Sequence, residues 1–119
     1  MKRFLAVFIG MADAREKSGW DKLEPAEMEK LHAQGIKAWK DWMSTHQAAI
    51  VETGGPLGKT KRIGSQGISD LRNNLVGYVV VQAESHQAAA EMFQRHPHFT
   101  LFPGDSVEVM ECLPIPGQG

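Results

Sequence analysis

Two histidines flanking a proline, His96-Pro97-His98, are the residues whose types and spacing lend themselves most directly to chemistry. Proline biases its predecessor towards extended backbone, so both imidazoles can project into one site, as acid/base groups or as two metal ligands. No third ligand accompanies them and no cysteine pair exists to hold zinc, so no metal is assigned and His98 and His96 are read as proton-transfer candidates. The competing reading is local: a helix stop, with His96 at the C-terminal end of the dipole and both rings hydrogen-bonded nearby. Glu108 is the third catalytic candidate, a general base if an enclosing surface raises its pKa. Its alternative is a carboxylate paired with Lys or Arg across a subunit contact.

Binding candidates surround this core. Asp70 and Arg72 sit in a polar stretch ahead of a strand, where they can reach a cleft mouth or form a solvated turn or ion pair. Trp42, with Trp39, can wall a planar ligand; beside Met43 at helical spacing the same rings also read as core. Lys59, Lys61 and Arg62 make a short basic run that reads as a solvated strand edge. Cys112, on a strand, reads as buried and inert. His32, His46 and His86 form no constellation. The chain has no nucleophile elbow, phosphate loop or zinc-protease helix.

The elements that must position these residues follow from periodicity. Gly77-Tyr78-Val79-Val80-Val81-Gln82-Ala83 is a strand rich in β-branched residues, and Ser106-Val107-Glu108-Val109-Met110-Glu111-Cys112 alternates with period two. Between them the spacing predicts a helix from a Ser85 cap to a stop at Pro97, with Ala88, Ala89, Met92 and Phe93 on one side. Phe4 to Ile9 is a further strand, covered on both faces. Gly10 to Glu24 is a loop with a short turn. Pro25 opens a long helix reaching Ala49 through Leu31, Ala38 and Trp42, with Gly35 as its weak point. Ile50 to Gly58 reads as a shaped connection, Lys59 to Ile63 as a short strand, and Asp70 to Asn74 as a polar loop. The order is β-α-β-β-α-β: an α+β sandwich with helices on one face of an antiparallel sheet.

Alternation divides the sheet. With helices over Val79, Val81, Val107 and Val109, the residues Tyr78, Gln82, Glu108 and Met110 fall on the open face, together with one alternating set from Phe4 to Ile9. That face is partly apolar, and self-association through it is the simplest cover. A cavity enclosed in this way would be apolar with a few polar groups, as small-molecule sites are, with Tyr78 and Gln82 as ligand-binding candidates.

Composition bounds the rest. At 119 residues with 42% apolar and 23% charged side chains, the chain is one globular domain, residues 114–119 forming an extended tail. A net charge of −1 gives no basic excess for nucleic acid. A lone cysteine and the lack of any membrane-length apolar run indicate a soluble cytoplasmic protein without a membrane partner.

Several stretches together resemble a known family: Gly54-Gly55-Pro56-Leu57, Gly77-Tyr78 before the Val-rich strand, Ala-Glu-Ser ahead of an Ala-rich helix, His96-Pro97-His98, and Ser106-Val107-Glu108-Val109. In order and spacing, from about Phe4 to Pro116, they are similar to the YCII-related proteins of the dimeric α+β barrel superfamily. The resemblance implies a ferredoxin-like fold, a homodimeric barrel and a cleft between helices and sheet. The Asp-Gly-Pro-Phe motif of a related branch is missing: the corresponding stretch is Ser69-Asp70-Leu71-Arg72, and only Asp70 matches. Two functions are therefore expected. One is a dimeric barrel that binds a small polar or aromatic molecule, with acid/base groups at hand and no cofactor. The other is a non-catalytic dimerisation or accessory module.

Overall fold

Strand β1 (Lys2–Ile9) lies inside a four-stranded antiparallel sheet of order β2-β5-β1-β6, with β2 at Ile50–Pro56, β5 at Leu75–Ala83 and β6 at Ser106–Glu111. The computed structural model describes residues 1–117; the last two residues of the expected tail fall outside them. Helix α2 (Pro25–Thr45) joins β1 to β2, and α3 (His86–Glu91) joins β5 to β6, which is the ferredoxin-like connection. The register brings Ala6 opposite both Val79 and Val109, and Phe8 opposite Val107. Phe4, Ala6, Phe8, Val79 and Val81 thus share one face and form the core with Ala89 and Phe93, while Trp39 and Trp42 of α2 pack onto it. The expected division of the sheet holds: Leu5, Val7, Tyr78, Val80, Gln82 and Glu108 face the other way.

Several expectations need correction. The second strand of the main sheet is Ile50–Pro56, not Lys59 to Ile63. Gly54, at φ +60°, supplies the left-handed residue of a bulge that lets Glu52 pair with Val80 and Gly55 with Tyr78; a Cβ there would overlap the Tyr78 carbonyl. Pro56 is tolerated because it ends an edge strand. The basic run lies instead in a separate hairpin, β3 (Thr60–Gly64) with β4 (Gly67–Leu71), inserted between β2 and β5. Asp70 is therefore a strand residue, paired with Lys61 at 2.6 Å, and Arg72 follows the hairpin in solvent.

The segment after Gln82 also differs. Ser85 caps α3 as expected, accepting from the Ala88 N–H at 3.1 Å. The helix ends at Glu91, and the chain tightens into i→i+3 turns through Met92, Phe93 and Gln94. Arg95, at φ 58°, then breaks the coil. Pro97 stops nothing; it is the first residue of a short helix α4 (Pro97–Thr100). Between β1 and α2, the expected loop contains α1 (Ala14–Ser18) and a 3-10 turn, Trp20–Lys22. Helix α2 gives way after Thr45 to a 3-10 turn, Gln47–Ala49, and does not break at Gly35. Cys112 lies beyond the last ladder pair of β6 and is exposed, not buried.

Candidate functional site

The histidine pair is built by the turn at Arg95. His96 is the N-cap of α4: its Nδ1 accepts from the His98 N–H at 3.0 Å. An acceptor nitrogen carries no proton, so the neutral ring holds its hydrogen on Nε2. That Nε2 is buried and has no hydrogen-bond partner among the described residues. The ring is fully buried, with centroids 4.6 Å from Trp39, 4.8 Å from Trp42 and 5.0 Å from Phe8. Burial, reinforced by His98 and then His46, pushes its pKa from 6.5 down to about 3.

His98 lies on the other side of Pro97, also buried. Its Nε2 stands 2.7 Å from the Ile9 carbonyl, which only accepts, so this nitrogen carries the hydrogen and Nδ1 the lone pair. The same carbonyl accepts the Asp105 N–H at 3.0 Å, tying β1 to the start of β6. Nδ1 lies against Gly104, where a Cβ would fall 2.5 Å from it. Burial lowers the His98 pKa, opposed by the Ile9 carbonyl, Asp105 and the Ser106 backbone. The two imidazoles do not chelate: each has one nitrogen engaged by backbone, and they serve different places. Among the described residues no group of three or more His, Cys, Asp or Glu is arranged to hold a metal ion.

His98 opens on a cleft of about 430 Å³ between α2 and the β2–β5 end of the sheet. Phe8, Trp39 and Phe102 are its aromatic walls, Ile36, Pro56 and Val76 its aliphatic ones. Its polar groups are few: His98, Thr53 and Lys40. Phe102 is held by Trp20, His32 and Trp39, with centroids at 6.2, 5.6 and 6.0 Å, and by Gly35, whose missing side chain makes room for the ring. Gly35 marks a close approach, by a side chain, and not a weak point of the helix.

Of the candidates read from sequence, His98 and Trp39 line this cleft. His96 and Trp42 stand behind it in the core, where the Trp42 Nε1–H donates to the Met92 carbonyl at 2.8 Å. Tyr78, Gln82 and Glu108 lie on the opposite face of the sheet. There the Tyr78 hydroxyl donates to Glu52 at 2.7 Å, an interaction that raises its pKa through the hydrogen bond first and the carboxylate charge second. Gln82 donates to the Ala48 carbonyl at 3.2 Å, and Glu108 is exposed. Asp70 is on the hairpin and Arg72 directly after it, both away from the cleft lining. Phe102, Ile36, Thr53 and Lys40 were invisible as site residues; the one available signal was Gly35, which asks for a partner without saying which.

No model of a known protein family matches the sequence, and no curated protein matches it. Among solved structures, 5-chloro-2-hydroxyhydroquinone dehydrochlorinase (TftG) from Burkholderia phenoliruptrix AC1100, in complex with 2,5-dihydroxybenzoquinone, is similar over 92% of this chain and 90% of its own, at 15% identity and a TM-score of 0.49. A likeness that loose says nothing about chemistry. The ferredoxin-like fold rests on the strand order of this chain, and the resemblance to YCII-related proteins on the motifs alone. No described helix is long and apolar enough to cross a membrane.

Proposed function

We propose that the chain is a homodimeric small-molecule-binding protein that takes a flat, largely apolar compound with a polar or anionic substituent in the cleft between α2 and the sheet. One observation carries this: three aromatic walls enclose an unfilled space of about 430 Å³, within the range of ligand pockets, around a few polar groups. Trp39 and Phe102 suit a ring, Lys40 an anion, and Thr53 a hydrogen-bonding group. His98 is the acid/base group of this reading. It is neutral at pH 7, its tautomer set by the Ile9 carbonyl, and its lone pair is on Nδ1. His96 is a positioning residue that fixes the His98 backbone. Glu108 lies across the sheet from His98 and takes no part in the cleft of its own chain. Leu5, Val80 and Met110 on the open face, each at least partly accessible, support the homodimer, because an apolar patch of that kind is normally covered.

Ile36 supplies the test. It lines the cleft from α2 and is 40% exposed, so Ile36→Trp occupies the space without entering the core. A thermal-shift screen of phenols, aromatic acids and other small metabolites should find compounds that raise the midpoint of the wild type and not of Ile36→Trp. Equal shifts in both proteins would place binding elsewhere. A broad panel without effect on either favours the accessory module, a reading supported by the bare apolar hairpin.

A further inference from the structure

The hairpin β3–β4 is the part of the chain that the cleft does not explain. An isolated two-stranded hairpin is marginal in water unless a face is covered. Yet β4 is exposed throughout, and in β3 only Thr60 and Gly64 are even partly buried. The two strands pair with each other and make no substantial contact with any other described element. At the tip the cross-strand pair Ile63 and Ile68 is 73% and 74% exposed. The molecule is drawn out to match: its radius of gyration is 16.5 Å, where a compact domain of this length has about 13.5 Å.

Charge is segregated in the same way. Between Leu57 and Asn74 lie Lys59, Lys61, Arg62 and Arg72 against the single Asp70, a net +3. The whole chain is −1, so the remainder carries −4. A basic, apolar-tipped arm joined to an acidic body fits the body of another copy. An anionic membrane would attract the arm but repel the body.

Geometry indicates where the arm lands. β2 runs towards the Phe8 end of the sheet, and the hairpin leaves there. If two open faces pack about a two-fold axis parallel to the strands, the β2 edge of one copy lies over the β6 edge of the other, with the same ends aligned. The start of β6 then receives the arm, and it bears the exposed Asp105 and Glu108.

We infer that the β3–β4 hairpin is a dimer clasp: Ile63 and Ile68, with their basic neighbours, dock on the Asp105–Glu108 end of β6 in a second copy of this chain. The inference rests on the homodimer proposed above, and the test separates the two. Sedimentation equilibrium compares wild type with Ile63→Ser/Ile68→Ser, with Lys59→Glu/Arg72→Glu, and with Val80→Arg on the open face. The clasp predicts that both hairpin variants, which alter only exposed side chains, raise the dimer dissociation constant by roughly tenfold or more. It also predicts that Asp105→Lys/Glu108→Lys restores association to the charge-reversed arm. A dimer that Val80→Arg dissociates and both hairpin variants leave intact would overturn the clasp and keep the homodimer. A monomeric wild type would overturn both. Hairpin-dependent co-sedimentation with phosphatidylserine vesicles, alongside an unchanged dimer constant, would replace the clasp with a membrane contact.

Discussion

The buried His96 ring should make this protein lose stability in acid, and the size of the effect can be worked out. The ring is fully buried against Trp39, Trp42 and Phe8, and its pKa falls from 6.5 to about 3. The unfolded chain therefore binds a proton that the folded chain refuses throughout that interval, so stability is complete above pH 6.5 and drains away as pH falls towards 3. Each tenfold difference in proton affinity is worth about 1.4 kcal/mol, which caps the total near 5 kcal/mol. Between about pH 7.5 and pH 5 the same linkage removes about 2 kcal/mol, or roughly 6–10 °C of midpoint for a domain of this size. His98, also lowered, adds loss in the same direction. The comparison that isolates His96 is His96→Asn, which keeps an acceptor for the His98 N–H and does not titrate. Denaturant unfolding of both proteins at the two pH values should show the variant less stable at pH 7.5 by about 2 kcal/mol, from lost packing. Its deficit should nearly vanish at pH 5. A deficit that stays the same at both values would mean that His96 takes up its proton in the folded state, and the buried neutral ring would be refuted.

Two further outcomes are expected. Gly35→Ala would place a methyl 2.5 Å from the Phe102 ring, which Trp20, His32 and Trp39 hem in; overpacking of about 1–3 kcal/mol should outweigh a helix-propensity gain of about 1 kcal/mol. A more stable variant in urea would show that Phe102 is loosely held. Tyr78 is the only tyrosine in the chain, so an ultraviolet titration reads it alone. Its ionisation should lie above the usual 10 and return towards it in Glu52→Gln; no change on that substitution would remove the Glu52 contact as the cause.

The parts of this architecture that were readable came from periodicity. Alternation in Tyr78 to Ala83 and Val107 to Met110 separated the helix-covered face from the open one, because a strand with one buried face cannot slip by a single residue. Strand β2 was hidden by its own bulge: Gly54-Gly55-Pro56 has the composition of a turn, and only the pairing with β5 shows the left-handed Gly54 as an insertion in a ladder. Pro97 was ambiguous in principle, since a proline that would end one helix is equally suited to begin the next. Cys112 continues the alternation of β6 on the open face, the side of Glu108 and Met110, so the chain leaves it exposed although its N–H still pairs with the Arg3 carbonyl of β1. The site was harder than the fold. Phe102 meets Gly35 and Trp20 across long stretches of sequence, Phe102 and Trp20 both lie in segments without period, and no local pattern announces such contacts.

The cleft gathers its walls from the whole length of the polypeptide. Phe8 comes from the first strand, Ile36 and Trp39 from the long helix, Pro56 from an edge strand, Val76 from the start of β5, and His98 and Phe102 from just before the last strand. Such distant contacts form late in folding, after shorter loops have closed. During synthesis the aromatic surface of α2 and β1 emerges well before the segment that completes the pocket, so a growing chain exposes that surface while offering no place for a ligand. Binding competence and the burial of the stickiest part of the protein therefore arrive in the same step. A bound ligand would act on the finished molecule by slowing the reopening of the His98 segment, a protection that hydrogen exchange at the amides of residues 98–105 would register.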